Sequence, residues 1–301
     1  MTVLISGGSG LVGEAITQIL LSKNFSVRHL SRNASRRPDG VDVFAWNPDK
    51  GTIDEAAFKD LDYIINLAGA SIAKRWTPQY KSEVLRSRVD GTRLLFNTVE
   101  KLGIPLKAFL SASAVGYYPN SLSETFSEDD APGNDFLSLV CQKWEQEAVN
   151  FEQIGIKTFR LRIGIVLSTK GGALPQMALP IKYGFGAALG TGKQWMPWIH
   201  LEDLAQQFVH CIENDHLEGG VYNAVGPKSV TNKVLTQAIA KSLKSPLILP
   251  AVPAFALKLI LGEMSETVLA SNRCSNEKIH SSGFQYKFPL LEQALNDLYD
   301  K

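Results

Sequence analysis

The sequence predicts an α/β protein: a doubly wound parallel sheet with a smaller, mixed C-terminal region on the substrate side. Three observations carry this. Residues 3–13 read VLISGGSGLVG, a short apolar strand that runs into a glycine turn and then a helical pattern. The first half of the chain alternates strand-like and helix-like stretches, as parallel strands joined by covering helices require. Each strand ends in small or polar residues, at the carboxyl edge where open parallel sheets bind ligands.

The first strand, Val3–Ser6, is followed by glycines with separate duties. Gly7 permits a tight turn, Gly10 lets backbone N–H groups approach a pyrophosphate, and Gly13 lets the helix Leu11–Leu21 pack close to the sheet. The helix N-terminus adds free N–H groups and partial positive charge. A dinucleotide is therefore expected here, with Gly7, Ser9, Gly10, Leu11, Val12 and Gly13 around its diphosphate. This is the nucleotide-binding half of a Rossmann fold.

The second strand, Ser26–Leu30, ends in Ser31-Arg32-Asn33 with no acid at the turn. An acidic side chain there would bond a ribose 2′-hydroxyl, whereas a basic one accommodates a 2′-phosphate. Arg32 offers a forked cation and Ser31 a hydroxyl, so NADP(H) is expected, with NAD(H) as the lesser alternative. Arg36 and Arg37 follow as further cations; the alternative is that these two are merely solvated charges, more so for Arg37 than for Arg32.

Strands are expected at Val41–Ala45, Tyr63–Leu67, Ala108–Ala112 and Thr158–Ile163, and helices at Pro78–Arg86, Gly91–Lys101 and Phe136–Gln153. The fourth strand ends in Leu67, Ala68 and Gly69, which are expected to touch the cofactor. The fifth ends in Ser111-Ala112-Ser113.

From about Gly164 the pattern changes, and glycine turns punctuate it. A helix at Leu174–Tyr183, a Trp195–His200 stretch, a helix at Leu201–Ile212, a strand at Val221–Val225 and a helix at Thr231–Leu243 are expected. An apolar helix, Ala254–Leu261, and a last helix, Leu290–Leu298, follow. Residues 1–165 are read as the NADP(H)-binding core. Residues 166–301 partly complete that core and form the substrate cleft, with a distinct terminal segment at about 248–296.

At 301 residues with a net charge of +1, the chain gives no reason to expect nucleic acid or a membrane as partner. A small-molecule partner and a monomer or homodimer are expected. Cys141, Cys211 and Cys274 are far apart and lack zinc-ligand spacing, which points to reduced thiols, a cytoplasmic location and no metal.

The glycine turn, Asn66-Leu67-Ala68-Gly69-Ala70 and Ser111-Ala112-Ser113-Ala114 resemble an extended short-chain dehydrogenase/reductase of the NAD-dependent epimerase/dehydratase group. Further segments resemble its atypical YfcH-like branch, family 39U in animals. These are Arg75-Trp76-Thr77, Ser87-Arg88-Val89, Val140 to Glu145 and Pro197 to Asp203, with Val252-Pro253 through Gly262-Glu263 resembling the branch's terminal domain. The resemblance spans essentially the whole chain and implies NADP(H) binding.

In typical members a serine holds the substrate oxygen, a tyrosine moves the proton, and a lysine four residues later steadies the tyrosine and the nicotinamide ribose. The resemblance places Ser113 and Lys143 in the first and third roles, and Leu139 where the tyrosine would stand. An isobutyl group exchanges no proton. Three readings stay open. Another donor substitutes, with Tyr117 first and Tyr118, Cys141 and His200 also candidates; or Ser113 and water suffice; or the protein is an NADP(H)-binding sensor without turnover. The alternative for Lys143 is an exposed helix charge, and for Cys141 a buried apolar residue.

Typical members carry an asparagine near Arg88. A guanidinium there can grip a carboxylate or phosphate through two hydrogen bonds, so an anionic substrate is among those expected. The alternative is an ion pair with Asp90 or Glu83. Trp198 and His200 are expected to line the substrate pocket.

Overall fold

The computed structural model describes residues 1–33, 37 and 39–300. Eight strands form the main sheet: β1 Thr2–Ser6, β2 Ser26–Ser31, β3 Asp42–Asn47, β4 Thr52–Ile53, β5 Tyr63–Asn66, β6 Ala108–Ala114, β7 Lys157–Ile163 and β8 Gly220–Ala224. Their order is β8-β7-β6-β5-β1-β2-β3-β4, parallel except for the antiparallel β4. The chain builds outward from β1 in one direction and then returns to build in the other. The switch point therefore falls between β1 and β5, at the end of the glycine turn.

Both faces of the sheet are covered. β1 is apolar throughout, and its alternation sends Val3 and Ile5 to one face and Leu4 to the other. Val3 and Ile5 pack with α1 (Leu11–Ser22) through Ile16 and Leu20, and with α5 (Leu201–Glu213) through Leu204 and Phe208. On the other face Leu4, Ile64 and Phe109 meet α2 (Pro78–Leu102) and α3 (Phe136–Gln153), with Phe151 stacked on Phe109 at 3.8 Å.

α2 differs from the expectation of two helices. It is one helix of 25 residues, and Gly91 lies inside it. A side chain at Gly91 would meet the Trp46 ring at 3.4 Å, an ordinary packing distance, so this glycine sits within a continuous helix beside β3 without breaking it.

The C-terminal lobe has its own core. Trp198 and Met196 pack with α4 (Ala173–Lys182) through Leu174 and Ile181, with α6 (Asn232–Ser242) through Leu235 and Ile239, and with the last helix, Leu291–Tyr299. Between them lie helix α7 (Ala254–Leu261) and the short helix Ser265–Leu269. Among the described residues no helix is long and apolar enough to cross a membrane.

Candidate functional site

The glycine turn is built for close approach. Gly7 has φ +73°, and a Cβ there would come to 3.0 Å from the Ala68 nitrogen. A Cβ on Gly13 would come to 2.4 Å from the Gly7 carbonyl oxygen, so only glycine lets α1 start so near the turn. Gly10 is different: it is exposed, and its nearest neighbour would be 3.2 Å away. Gly10 caps α1 without any side-chain hydrogen bond, which leaves the first N–H groups of the helix open for an anion. Ser9 is exposed, and Leu11 and Val12 are half-buried beside it. These features fit a dinucleotide diphosphate.

The switch point is locked by hydrogen bonds. Ser6 Oγ donates to Asn66 Oδ1 at 2.6 Å, and Asn66 Nδ2 donates to Thr92 Oγ1 of α2 at 2.8 Å. Leu67, Ala68 and Gly69 therefore leave the sheet at a fixed point beside Gly7, with Gly69 exposed.

His29 on β2 was not singled out by the sequence reading, yet it shapes the turn. Its buried ring occupies the space where a Gly8 side chain would stand, at 2.5 Å from the ideal Cβ. Its Nε2 lies 2.8 Å from Thr17 Oγ1. Burial, aided by the Arg37 charge, holds its pKa down to about 4. An isolated histidine inside a strand pattern gives no sign of this.

At the end of β2, Arg32 is exposed and Ser31 is half-buried, with Ser31 Oγ accepting from the Asn33 amide at 3.2 Å. Of the two readings of Arg37, the solvated charge falls away, because its guanidinium is ion-paired. Its Nη2 donates to Glu14 of α1 and to Asp39, each at 2.6 Å, and these bonds raise its pKa. Arg36 lies outside the described residues.

At the end of β6 the structure assembles a buried polar chain. Ser113 Oγ donates to Glu145 Oε1 at 2.6 Å. Arg162 on β7 holds Glu145 in a fork, Nε to Oε1 at 2.8 Å and Nη2 to Oε2 at 2.9 Å. Arg162 Nη1 also donates to the Tyr118 hydroxyl at 2.9 Å, and that hydroxyl donates to Asn223 Oδ1 on β8 at 2.7 Å. Ser113 and Arg162 are direct partners in the β6–β7 register, and Glu145 lies on the sheet-facing side of α3. The sequence reading missed Glu145, Arg162 and Asn223. The only available signal was an arginine inside an apolar strand, which buried strands do not carry unpaired.

The candidate proton donors separate clearly. Tyr118 is buried and bonded on both sides, and burial raises its pKa far above the ordinary value. Burial pushes the Cys141 thiol up to about 12. Tyr117 is half-buried, with the Arg162 guanidinium 3.4 Å from its ring centroid. On α3, Lys143 is exposed, and Leu139 is 45 % exposed on the same side.

Arg88 projects from α2 over the end of β5. Its Nη1 donates to the carbonyls of Val84 and Ala70 at 3.0 and 3.1 Å, and its guanidinium lies 5.1 Å from the Trp144 ring. A side chain at Gly69 would strike Arg88 Cζ at 2.9 Å. Among the described residues it has no carboxylate in ion-pair range; Asp90 pairs instead with Arg93, at 3.7 Å. Desolvation lowers its pKa, which is what an opposing anion would offset. Arg75 is exposed.

Two expected pocket residues are corrected. Trp198 is 1 % exposed, its Nε1 donates to the Lys228 carbonyl at 2.9 Å, and it belongs to the core of the C-terminal lobe. His200 caps α5, its Nδ1 accepting from the Glu202 amide at 3.2 Å, and its ring packs 3.9 Å from Phe288 with Asp297 at 3.5 Å. Their place in the pocket is implied by the likeness of this segment to the family's pocket-lining stretch. Instead, Trp198–His200 pairs as a strand with Ile165–Leu167.

Comparison with known proteins agrees with this architecture. The NAD dependent epimerase/dehydratase family matches residues 3–225, and a domain of unknown function, DUF1731, matches residues 252–298. Epimerase family protein YfhF of Bacillus subtilis is 38 % identical over 299 residues, covering 99 % of this chain and 98 % of the relative. Epimerase family protein SAR0825 of Staphylococcus aureus is 35 % identical over 300 residues, covering 99 % of both. The crystal structure of human epimerase family protein SDR39U1 with NADPH superposes over 100 % of both chains, with a TM-score of 0.87 and 31 % identity. A nucleoside-diphosphate sugar epimerase from Corynebacterium glutamicum has a TM-score of 0.81 and 26 % identity, covering 99 % of this chain and 58 % of its own.

Proposed function

The chain belongs to the NAD dependent epimerase/dehydratase family, and from that premise we propose that it is an NADP(H)-dependent oxidoreductase or epimerase acting on a small anionic molecule. The observation that carries this reading is the undamaged glycine turn, with Gly13 forced by a 2.4 Å approach and α1 uncapped at Gly10. NADP(H) over NAD(H) rests on the exposed Arg32 at the end of β2 and on the likeness to a structure described with NADPH.

When bound, the cofactor supplies or takes the hydride. The chain's own residues do the rest. Because Ser113 gives its hydrogen to Glu145, its lone pairs are what it offers a substrate hydroxyl. Arg88 anchors the anionic group, and Lys143 steadies the ribose from the exposed side of α3. With Tyr118 and Cys141 locked away, Tyr117 is assigned the proton step.

Deuteride transfer from labelled NADPH to a broad panel of anionic carbonyl compounds tests this reading. Transfer that Arg88→Met reduces at least about tenfold, the lower end for a lost charged contact, and Tyr117→Phe at least about a hundredfold, the lower end for a lost acid–base group, is expected. No transfer to any compound would count against it.

Leu139 favours a second reading, because an aliphatic side chain stands where the family's proton donor is expected. The protein would then bind NADP(H) as a sensor without turnover. Saturable NADPH binding with a changed proteolysis pattern and no deuteride transfer is its signature.

A further inference from the structure

The net charge of +1 conceals a segregation. No aspartate or glutamate occurs between Glu152 and Glu202, or between Glu218 and Glu263, and lysines are scattered through both stretches. The two stretches lie side by side in the C-terminal lobe. A side chain at Gly186 would meet Ile181 and Leu247, both at 2.7 Å. The Val252 amide donates to the Ala188 carbonyl, and the Gly190 amide to the Val252 carbonyl, each at 2.8 Å.

From Val252 the chain enters α7, where Leu257 alone is buried. Phe255, Leu259 and Ile260 are 75, 84 and 72 % exposed. Ile248 precedes them at 76 %, and Tyr183 and Phe185 follow α4 at 69 and 70 %. Lys182, Lys244 and Lys258 stand exposed among these residues. The next carboxylates lie beyond α7: Glu263 is held by Lys81 at 2.7 Å, and Glu266 is exposed. Lys241, on α6, is neutralised by Glu292.

We propose that this face docks the protein peripherally on an anionic membrane surface. Aromatic and aliphatic side chains enter the headgroup boundary, while the lysine ammonium groups meet lipid phosphates with their stems lying along the apolar surface. A second copy of the chain is a poorer fit, because it would bring its own lysines against these. Peripheral docking needs no spanning helix.

Flotation of the full chain with vesicles is the test. Binding to phosphatidylcholine vesicles containing phosphatidylglycerol is expected at low salt, with release at high salt and at least about tenfold weaker binding to phosphatidylcholine alone. Each lysine is expected to contribute about fivefold. Phe255→Ser/Leu259→Ser and Lys244→Glu/Lys258→Glu should each lose most of the binding while keeping the parent NADPH thermal shift, which shows that they fold. Absence of flotation with either vesicle, or flotation indifferent to both variants, would overturn the proposal. So would light scattering that finds a dimer which Phe255→Ser/Leu259→Ser splits.

Discussion

Gly10 and Gly13 look alike in the sequence, three residues apart in one turn, but the structure gives them opposite physics. A Cβ on Gly13 collides with the Gly7 carbonyl at 2.4 Å, so Gly13→Ala strains the turn itself. We expect it to destabilise the fold by about 1–3 kcal/mol, the usual cost of overpacking, and to weaken NADPH binding. Gly10 is exposed with ordinary backbone angles, and a Cβ there would meet the Gly7 carbonyl oxygen at 3.2 Å, a milder conflict, so Gly10→Ala should cost less than Gly13→Ala, about 1 kcal/mol or less, and still obstruct the diphosphate. Urea melts and NADPH titrations of the two variants separate the roles. His29 adds a pH dependence. Its folded pKa of about 4 lies below the ordinary histidine value of about 6.5, so the unfolded chain takes up a proton that the folded one refuses. Its contribution is complete above about pH 6.5 and falls away as the pH drops toward 4, by about 2–3 kcal/mol. A urea series across that window should show the loss, and His29→Asn should flatten it. The glycines were legible because turn chemistry is local. His29 was not, because its role depends on a strand and a helix meeting over Gly8.

At the scale of elements, α3 explains why the catalytic groups could be read only in part. The spacing placed Leu139 and Lys143 on one face, and both are exposed there. The opposite face carries Cys141 and Glu145, and what Glu145 does depends on Arg162 from β7. No spacing along one helix reveals a partner that arrives through strand register. The same limit applies to Trp198 and His200, whose burial follows from a strand pairing that the sequence hid in a loop-like stretch. The buried pair itself is testable. Arg162→Met leaves Glu145 without a counter-charge inside the protein and should cost about 3–5 kcal/mol. Adding Glu145→Gln should recover much of that loss, since removing both charges is far milder than removing one. Equal melting of the single variant and the parent would show that the pair is not closed in solution.

Across the whole molecule, the alternation of strands and helices made the sheet legible, and the β1–β5 switch point lies where the first glycine turn required it. The C-terminal lobe was less legible. Its strands are two or three residues long, and its core forms only when Trp198, Leu235 and Leu295 are brought together across distant segments. Composition taken over the full chain also hid the two long stretches without carboxylates that meet in that lobe. Everything functional still rests on the amino-terminal cradle and its arginine. Titration calorimetry of the intact protein with NADPH and NADH, repeated on Arg32→Asp, tests this most directly. The account predicts saturable NADPH binding that is tighter than NADH binding and about 1.5–3 kcal/mol weaker in the variant, as expected for a charged hydrogen bond. Absence of binding, or equal affinity in parent and variant, would contradict it.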